Sequence, residues 1–222
     1  MLHRGRPMPN NKDHWYDGFI YDAFIASYPD TAFFRIKDMV KNEASVLDVG
    51  CATGRLAFQL ADKCRHIDGV DLSRRNIRVA ARKLEDHPTE NISFHHDDVL
   101  QFLQKTPRRY DVAVLTYVIH EIDEPERHEI LDALSKAASE IVIVDYLSPQ
   151  PRNLTSFVNE LVEYVAGPDH YRNFRSFIRA DGLRGLARRA GLSIVREEQN
   201  KPPTSHMMVL AGTRVGICDV CW

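Results

Sequence analysis

The chain has 222 residues, 44% of them hydrophobic, enough for one sizeable core and too few for two large domains. A net charge of −2 excludes a global field that recruits nucleic acid or an anionic membrane. The longest apolar run, residues 112–119, falls far short of a bilayer span, and the opening MLHRGRPMPNNK lacks the apolar core of a secretory signal, so a cytoplasmic protein is expected.

Residues 13–28, DHWYDGFIYDAFIASY, place Trp15, Phe19, Tyr21, Phe24, Ile25 and Tyr28 at helical spacing. They read either as a helix packed down by an aromatic stripe or as a lid. Residues 33–40 predict a second amphipathic helix leading into the first strand.

The chain is organised around VLDVGCATGRLAFQL, residues 46–60. It predicts a buried parallel strand over 45–49, a glycine turn over 50–54, and a helix with Leu56, Ala57 and Leu60 on its inner side. Gly50 and Gly54 let a ligand lie against the main chain, and the helix start offers unpaired N–H groups. The G-x-x-x-G spacing, with Ala52 in the middle, is not the dinucleotide fingerprint, and no Lys-Ser/Thr follows Gly54 as in a P-loop. Asp48, at the strand end, would repel a pyrophosphate. It suits a ligand bearing an ammonium and a sulfonium charge, which is S-adenosylmethionine.

HIDGVDLS is a short strand ending in Asp71, 23 residues beyond Asp48. An acceptor-only carboxylate there can take both ribose hydroxyls, or Asp71 and Ser73 can cap the following helix. That helix, over 73–85, is basic outside and apolar inside, a solvated face. A third strand over 91–96 precedes Asp97, Asp98 and a helix over 99–104. YDVAVLTYVIHEI makes the fourth strand and its loop, and ligands of open parallel sheets sit beyond such strand ends, which puts Thr116 to Glu121 at the site.

VLDVGCATG, GVDLS, HDDVL and YDVAVLTYVIHEI, in this order, resemble the class I S-adenosylmethionine-dependent methyltransferases. The departure is Ala52, where that family most often has glycine. The resemblance implies an α/β, Rossmann-like fold: a seven-stranded, mostly parallel sheet with an antiparallel last strand, helices on both faces and a helical cap. It implies methyl transfer with S-adenosylhomocysteine as product. Asp48, Gly50, Cys51, Ala52 and Gly54 would hold the methionine part, Asp71 and Leu72 the ribose, Asp98 and Val99 the adenine, and Thr116 would border the methyl. Tyr16 and Tyr21 of the N-terminal helix would close over the substrate.

The loop after the fourth strand lacks the D/N-P-P-Y/F motif of methyltransferases acting on adenine or glutamine. Tyr117, His120 and Glu121 stand there instead, a loop like that of small-molecule methyltransferases. His120 is the candidate general base, with Tyr117 beside it; a histidine that only shapes the loop is the alternative. A helix over 124–138 and a fifth strand over 140–146 follow, joined without glycine, and Asp145 and Tyr146 end the strand on the ligand side. Two helical segments, 153–165 and 171–179, form the expected cap, with His170, Tyr171 and Arg175 as substrate candidates alongside Tyr146. The arginine excess between Arg172 and Arg189 reads as a solvated face, or as a site for an anionic substrate or RNA. A helix over 182–190 ends at Gly191, and LSIVREEQ and HMMVLAGTR close the sheet as a hairpin.

The expected division is a helical lid over 1–44, a core over 45–215 with a cap insertion at about 149–181, and a tail over 216–222. CDVC in the tail has half a zinc site's spacing with no second pair, so no metal is expected. A small-molecule acceptor is favoured over RNA, protein or a non-catalytic scaffold, and a hydride-transferring oxidoreductase is disfavoured by the missing pyrophosphate glycine.

Overall fold

A computed structural model describes residues 31–200 and 203–211. Seven strands form one sheet in the order β3-β2-β1-β4-β5-β7-β6. They are β1 (Ser45–Val49), β2 (His66–Asp71), β3 (Ile92–His96), β4 (Tyr110–Thr116), β5 (Ala138–Tyr146), β6 (Ser193–Gln199) and β7 (Ser205–Ala211). The first five run parallel, and β7 lies antiparallel between β5 and β6. Helices α1 (Thr31–Met39), α2 (Arg55–Leu60), α3 (Arg74–Asp86), α4 (Val99–Lys105) and α5 (Glu124–Ala137) alternate with these strands. Three more, α6 (Leu154–Ala166), α7 (Pro168–Arg179) and α8 (Gly182–Ala190), stand between β5 and β6.

Period-two alternation along the buried strands sorts two cores. Leu47, Val49, Ala113, Leu115, Ile141 and Ile143 pack on one face against α4, α5, Phe177 of α7 and α8. Val46, Val112, Val114, Val142 and Val144 pack on the other, against Ala32 and Ile36 of α1 and Leu56, Ala57 and Leu60 of α2. The side chain of Ser73 starts α3 by accepting the Asn76 N–H, and Gly191 at φ 65° ends α8.

Most expected boundaries hold to within two residues. Two differ. The tight connection expected between residues 136 and 140 does not exist as a loop, because α5 passes at Ala137 directly into β5 at Ala138. The break expected over residues 166–170 shrinks to Gly167, and Pro168, which needs no N–H partner, opens α7.

Candidate active site

The site lies beyond the carboxyl ends of β1, β4 and β5, where strand order reverses between β1 and β4. Its first half is the glycine turn. Gly50 has φ 68°, and a Cβ there would lie 2.4 Å from Val118 Cγ2; Gly54 has φ 81°, and its Cβ would lie 2.4 Å from Phe94 Cζ. Both positions need glycine for the backbone and for space. Ala52, between them, takes φ 48°, so the turn accepts an alanine in the left-handed region.

Two carboxylates flank this turn, and one of them braces it. Asp71 accepts the Ala52 N–H at 2.8 Å through one oxygen and the Ser73 N–H at 2.7 Å through the other. Asp48 is buried, and burial, with Asp71 nearby, pushes its carboxyl up to about 7. Its Oδ2 and the Thr116 Oγ1 are buried without a hydrogen-bond partner among the described residues. Both residues line the same small pocket, with Phe33, Gly50, Cys51, Ala52 and Arg55. An orphaned buried acid facing a pocket fits a ligand that brings its own cation and donors. S-adenosylmethionine, with an ammonium group, meets that requirement. The Cys51 thiol is held well above its ordinary value by burial, then by Asp48 and Asp71, so it stays an uncharged wall.

The adenine candidates occupy the start of α4. Asp98 Oδ1 accepts the N–H groups of Leu100 and Gln101 at 3.0 and 3.1 Å, so this acid is also the helix cap. Leu72 offers its carbonyl to His96 Nε2 at 3.0 Å, tying the β2 loop to the end of β3.

The second half gathers at the ends of β4 and β5. Tyr117 leaves β4 at φ 56°, a left-handed conformation uncommon for an aromatic residue, with its hydroxyl 2.8 Å from Ser205 Oγ. That turn swings the loop so that His120 enters the interior, 2% exposed. Asp145 accepts from His120 Nδ1 at 2.8 Å and from the His120 backbone N–H at 3.2 Å. On the other side, Nε2 lies 3.4 Å from Glu163 Oε1, an ion-pair distance without hydrogen-bond alignment. Burial alone would lower the imidazole, but Asp145 and Glu163 outweigh it and hold His120 well above its usual range. His120 thus lies between two carboxylates.

Glu163 also accepts the Tyr146 hydroxyl at 2.9 Å, and its Oε2 is 3.9 Å from His170 Nδ1. Phe174 meets Tyr146 edge to face at 5.2 Å. His170 and Phe174 of α7 and Glu163 of α6 thus reach the loop of β4 across the cap. Arg127 of α5 locks this arrangement. It is fully buried and donates to the carbonyls of Ile122, His120 and Asn173, while Asn173 donates to the Glu121 carbonyl and to Asp123.

The structure therefore brings Tyr117, His120, Tyr146 and His170 together, and Asp48, Gly50, Cys51, Ala52, Gly54, Asp71 and Thr116 around the turn. It turns Tyr171 and Arg175 elsewhere: both bond to Glu160, at 2.9 and 2.6 Å. Tyr16 and Tyr21 lie outside the described residues. Glu163 and Arg127 carried no signal in sequence. Each sits in an ordinary helical pattern, and only its burial marks it.

Among the described residues no group of histidine, cysteine or acidic side chains could hold a metal ion, and no helix is long and apolar enough to cross a membrane. Residues 46–140 match the model of a methyltransferase domain. A ubiquinone biosynthesis O-methyltransferase of Leptothrix cholodnii is 26% identical over 185 residues, which span 79% of this chain and 76% of that protein. Among solved structures, the N-methyltransferase NodS of Bradyrhizobium japonicum, in complex with S-adenosylhomocysteine, superposes at TM-score 0.60 with 17% identity over 82% of this chain and 85% of that one. Magnesium protoporphyrin IX methyltransferase of Synechocystis, with bound S-adenosylhomocysteine, superposes at TM-score 0.55 with 16% identity, covering 81% and 78%. With the glycine turn and its two acids, these likenesses support a class I S-adenosylmethionine-dependent methyltransferase, an enzyme that carries a methyl group to a small-molecule acceptor.

Proposed function

We propose that the enzyme methylates a hydroxyl group on a small, ring-bearing acceptor that carries no negative charge, with His120 and Glu163 handling the proton. The observation that carries this reading is the buried chain Asp145, His120, Glu163, flanked by Tyr146 and Phe174. S-adenosylmethionine, when bound, supplies an electrophilic methyl on a sulfonium. Asp48, Gly50 and Thr116 would hold its amino acid end, Asp71 and Leu72 its ribose, and Asp98 and Val99 its adenine.

Asp145 fixes the imidazole through Nδ1, which aims Nε2 at the acceptor side. A hydroxyl entering beside Glu163 would donate to its carboxylate and leave its proton there as the oxygen takes the methyl, with His120 and Asp145 holding that carboxylate in place. The surrounding acids, Asp145, Glu163 and Glu121, disfavour a carboxylate or phosphate acceptor by like-charge repulsion. The arginines point the same way. Four of the six between Arg172 and Arg189 are paired, Arg172 with Asp169, Arg175 with Glu160, Arg184 with Glu197 and Arg188 with Asp181, which speaks against a free track for RNA. An N-terminal lid contributing Tyr16 and Tyr21, and a cytoplasmic setting compatible with the free thiols Cys51 and Cys64, belong to the same proposal.

The test is a screen with methyl-labelled S-adenosylmethionine against phenols, amines and carboxylic acids, with product identified by mass spectrometry and NMR. O-methylation of uncharged phenols is expected, with kcat falling on the order of 100-fold in His120→Gln at unchanged cofactor affinity. Turnover of amines or carboxylates only, or an unimpaired His120→Gln, would overturn the assignment.

A further inference from the structure

Helix α6 is built inside out. A surface helix normally turns its apolar stripe to the core and its charges to water. Here Glu163 and Ser156 are buried on the side that faces the site. On the opposite side Leu154, Phe157, Val158, Leu161, Val162 and Val165 are between 44% and 77% exposed. At 100° per residue these six fall in one continuous stripe centred opposite Glu163. No charged side chain interrupts it.

The stripe presents on the order of 600 Å² of apolar surface, at the top of the range for a monomer's largest patch and approaching the roughly 800 Å² per partner of a standard protein interface. We propose that it is a homodimer interface, in which α6 of one copy packs on α6 of a second copy across a twofold axis. A single straight stripe is self-complementary under such an axis, and the contact buries no charge. The charges of α6 are Glu160 and Glu163 alone, and the helix carries no lysine or arginine to hold lipid phosphates, which favours a protein partner over an anionic bilayer. Pairing steadies the helix that delivers Glu163 to His120 and Tyr146, so the dimer supports the site from behind.

Sedimentation equilibrium on the full chain between about 1 and 100 μM tests this. A monomer–dimer equilibrium within that range is expected. Leu161→Glu should raise its Kd on the order of tenfold or more, and Leu161→Met should leave it within about twofold. Circular dichroism confirms that both variants are folded. A monomer at every concentration, or a dimer indifferent to Leu161→Glu, overturns the proposal. So does a monomer that co-sediments with uncharged phosphatidylcholine vesicles, which would assign the stripe to a bilayer.

Discussion

His120 Nδ1 and Asp145 Oδ1 meet at 2.8 Å although 25 residues separate them. The pairing of β4 with β5 in parallel register, Thr116 beside Val144, sets their strand ends side by side, and the left-handed turn at Tyr117 folds the loop back over Asp145. The pair makes a buried charge tolerable, since each partner offsets the other's desolvation cost.

That pair has a pH signature. Because the folded-state pKa of His120 is raised, its stabilising contribution is complete below the unfolded value of about 6.5 and is lost as pH rises through the folded value. Wild type should therefore lose its advantage in Tm over His120→Gln as pH climbs above about 6.5, by roughly 2–4 °C per kcal/mol lost. An advantage that stays constant or grows with pH would show that His120 is neutral when folded.

Asp48 works with the opposite sign. Its pKa rises from 3.8 to about 7 on folding, so it costs stability progressively as pH rises through that window, and the whole penalty is present above it. Asp48→Asn should stabilise the ligand-free protein at about pH 8, by a few kcal/mol at most, since each tenfold loss of acidity on folding corresponds to about 1.4 kcal/mol. The same change removes the carboxylate proposed to hold the ligand's ammonium, and calorimetric titration should give an S-adenosylmethionine affinity weaker on the order of 100-fold. A variant that is less stable under those conditions and binds normally would count against both statements.

Ala52 is held at φ 48°, a left-handed conformation that costs an alanine more than a glycine. Ala52→Gly should raise stability by about 1 kcal/mol, less the entropy a glycine adds to the unfolded chain, while retaining cofactor binding. Gly54→Ala should lose roughly 2–4 kcal/mol, because φ 81° is retained and the new methyl must displace the Phe94 ring. Urea titrations of both variants check the signs; two shifts in the same direction would refute the strain argument.

Arg127→Met fills similar volume but leaves the carbonyls of His120, Ile122 and Asn173 without their donor. The expected cost is about 3 kcal/mol, with faster amide hydrogen exchange confined to residues 118–123 and 170–175. Uniformly faster exchange across the sheet would mean that Arg127 holds the whole domain and not the junction of loop and cap.

Sequence alone determined the sheet and the glycine turn, because both rest on local patterns. The strands read as short apolar runs, and Gly50, Gly54, Asp48 and Asp71 stand at fixed offsets from strand ends. His120 and Tyr146 were legible for the same reason, each sitting at or just past a strand end. Only the tertiary structure decided what surrounds them. Glu163 and Arg127 occupy helical positions whose inward direction depends on how the cap and α5 pack, and no period in the sequence distinguishes a charge aimed at an imidazole from one aimed at water. Periodicity assigned α6 an apolar side and a polar side, but which side faces the protein is a property of contacts between elements. In this helix the polar side won, because two buried groups, His120 and His170, and the half-buried Tyr146 required a carboxylate more than the core required another leucine.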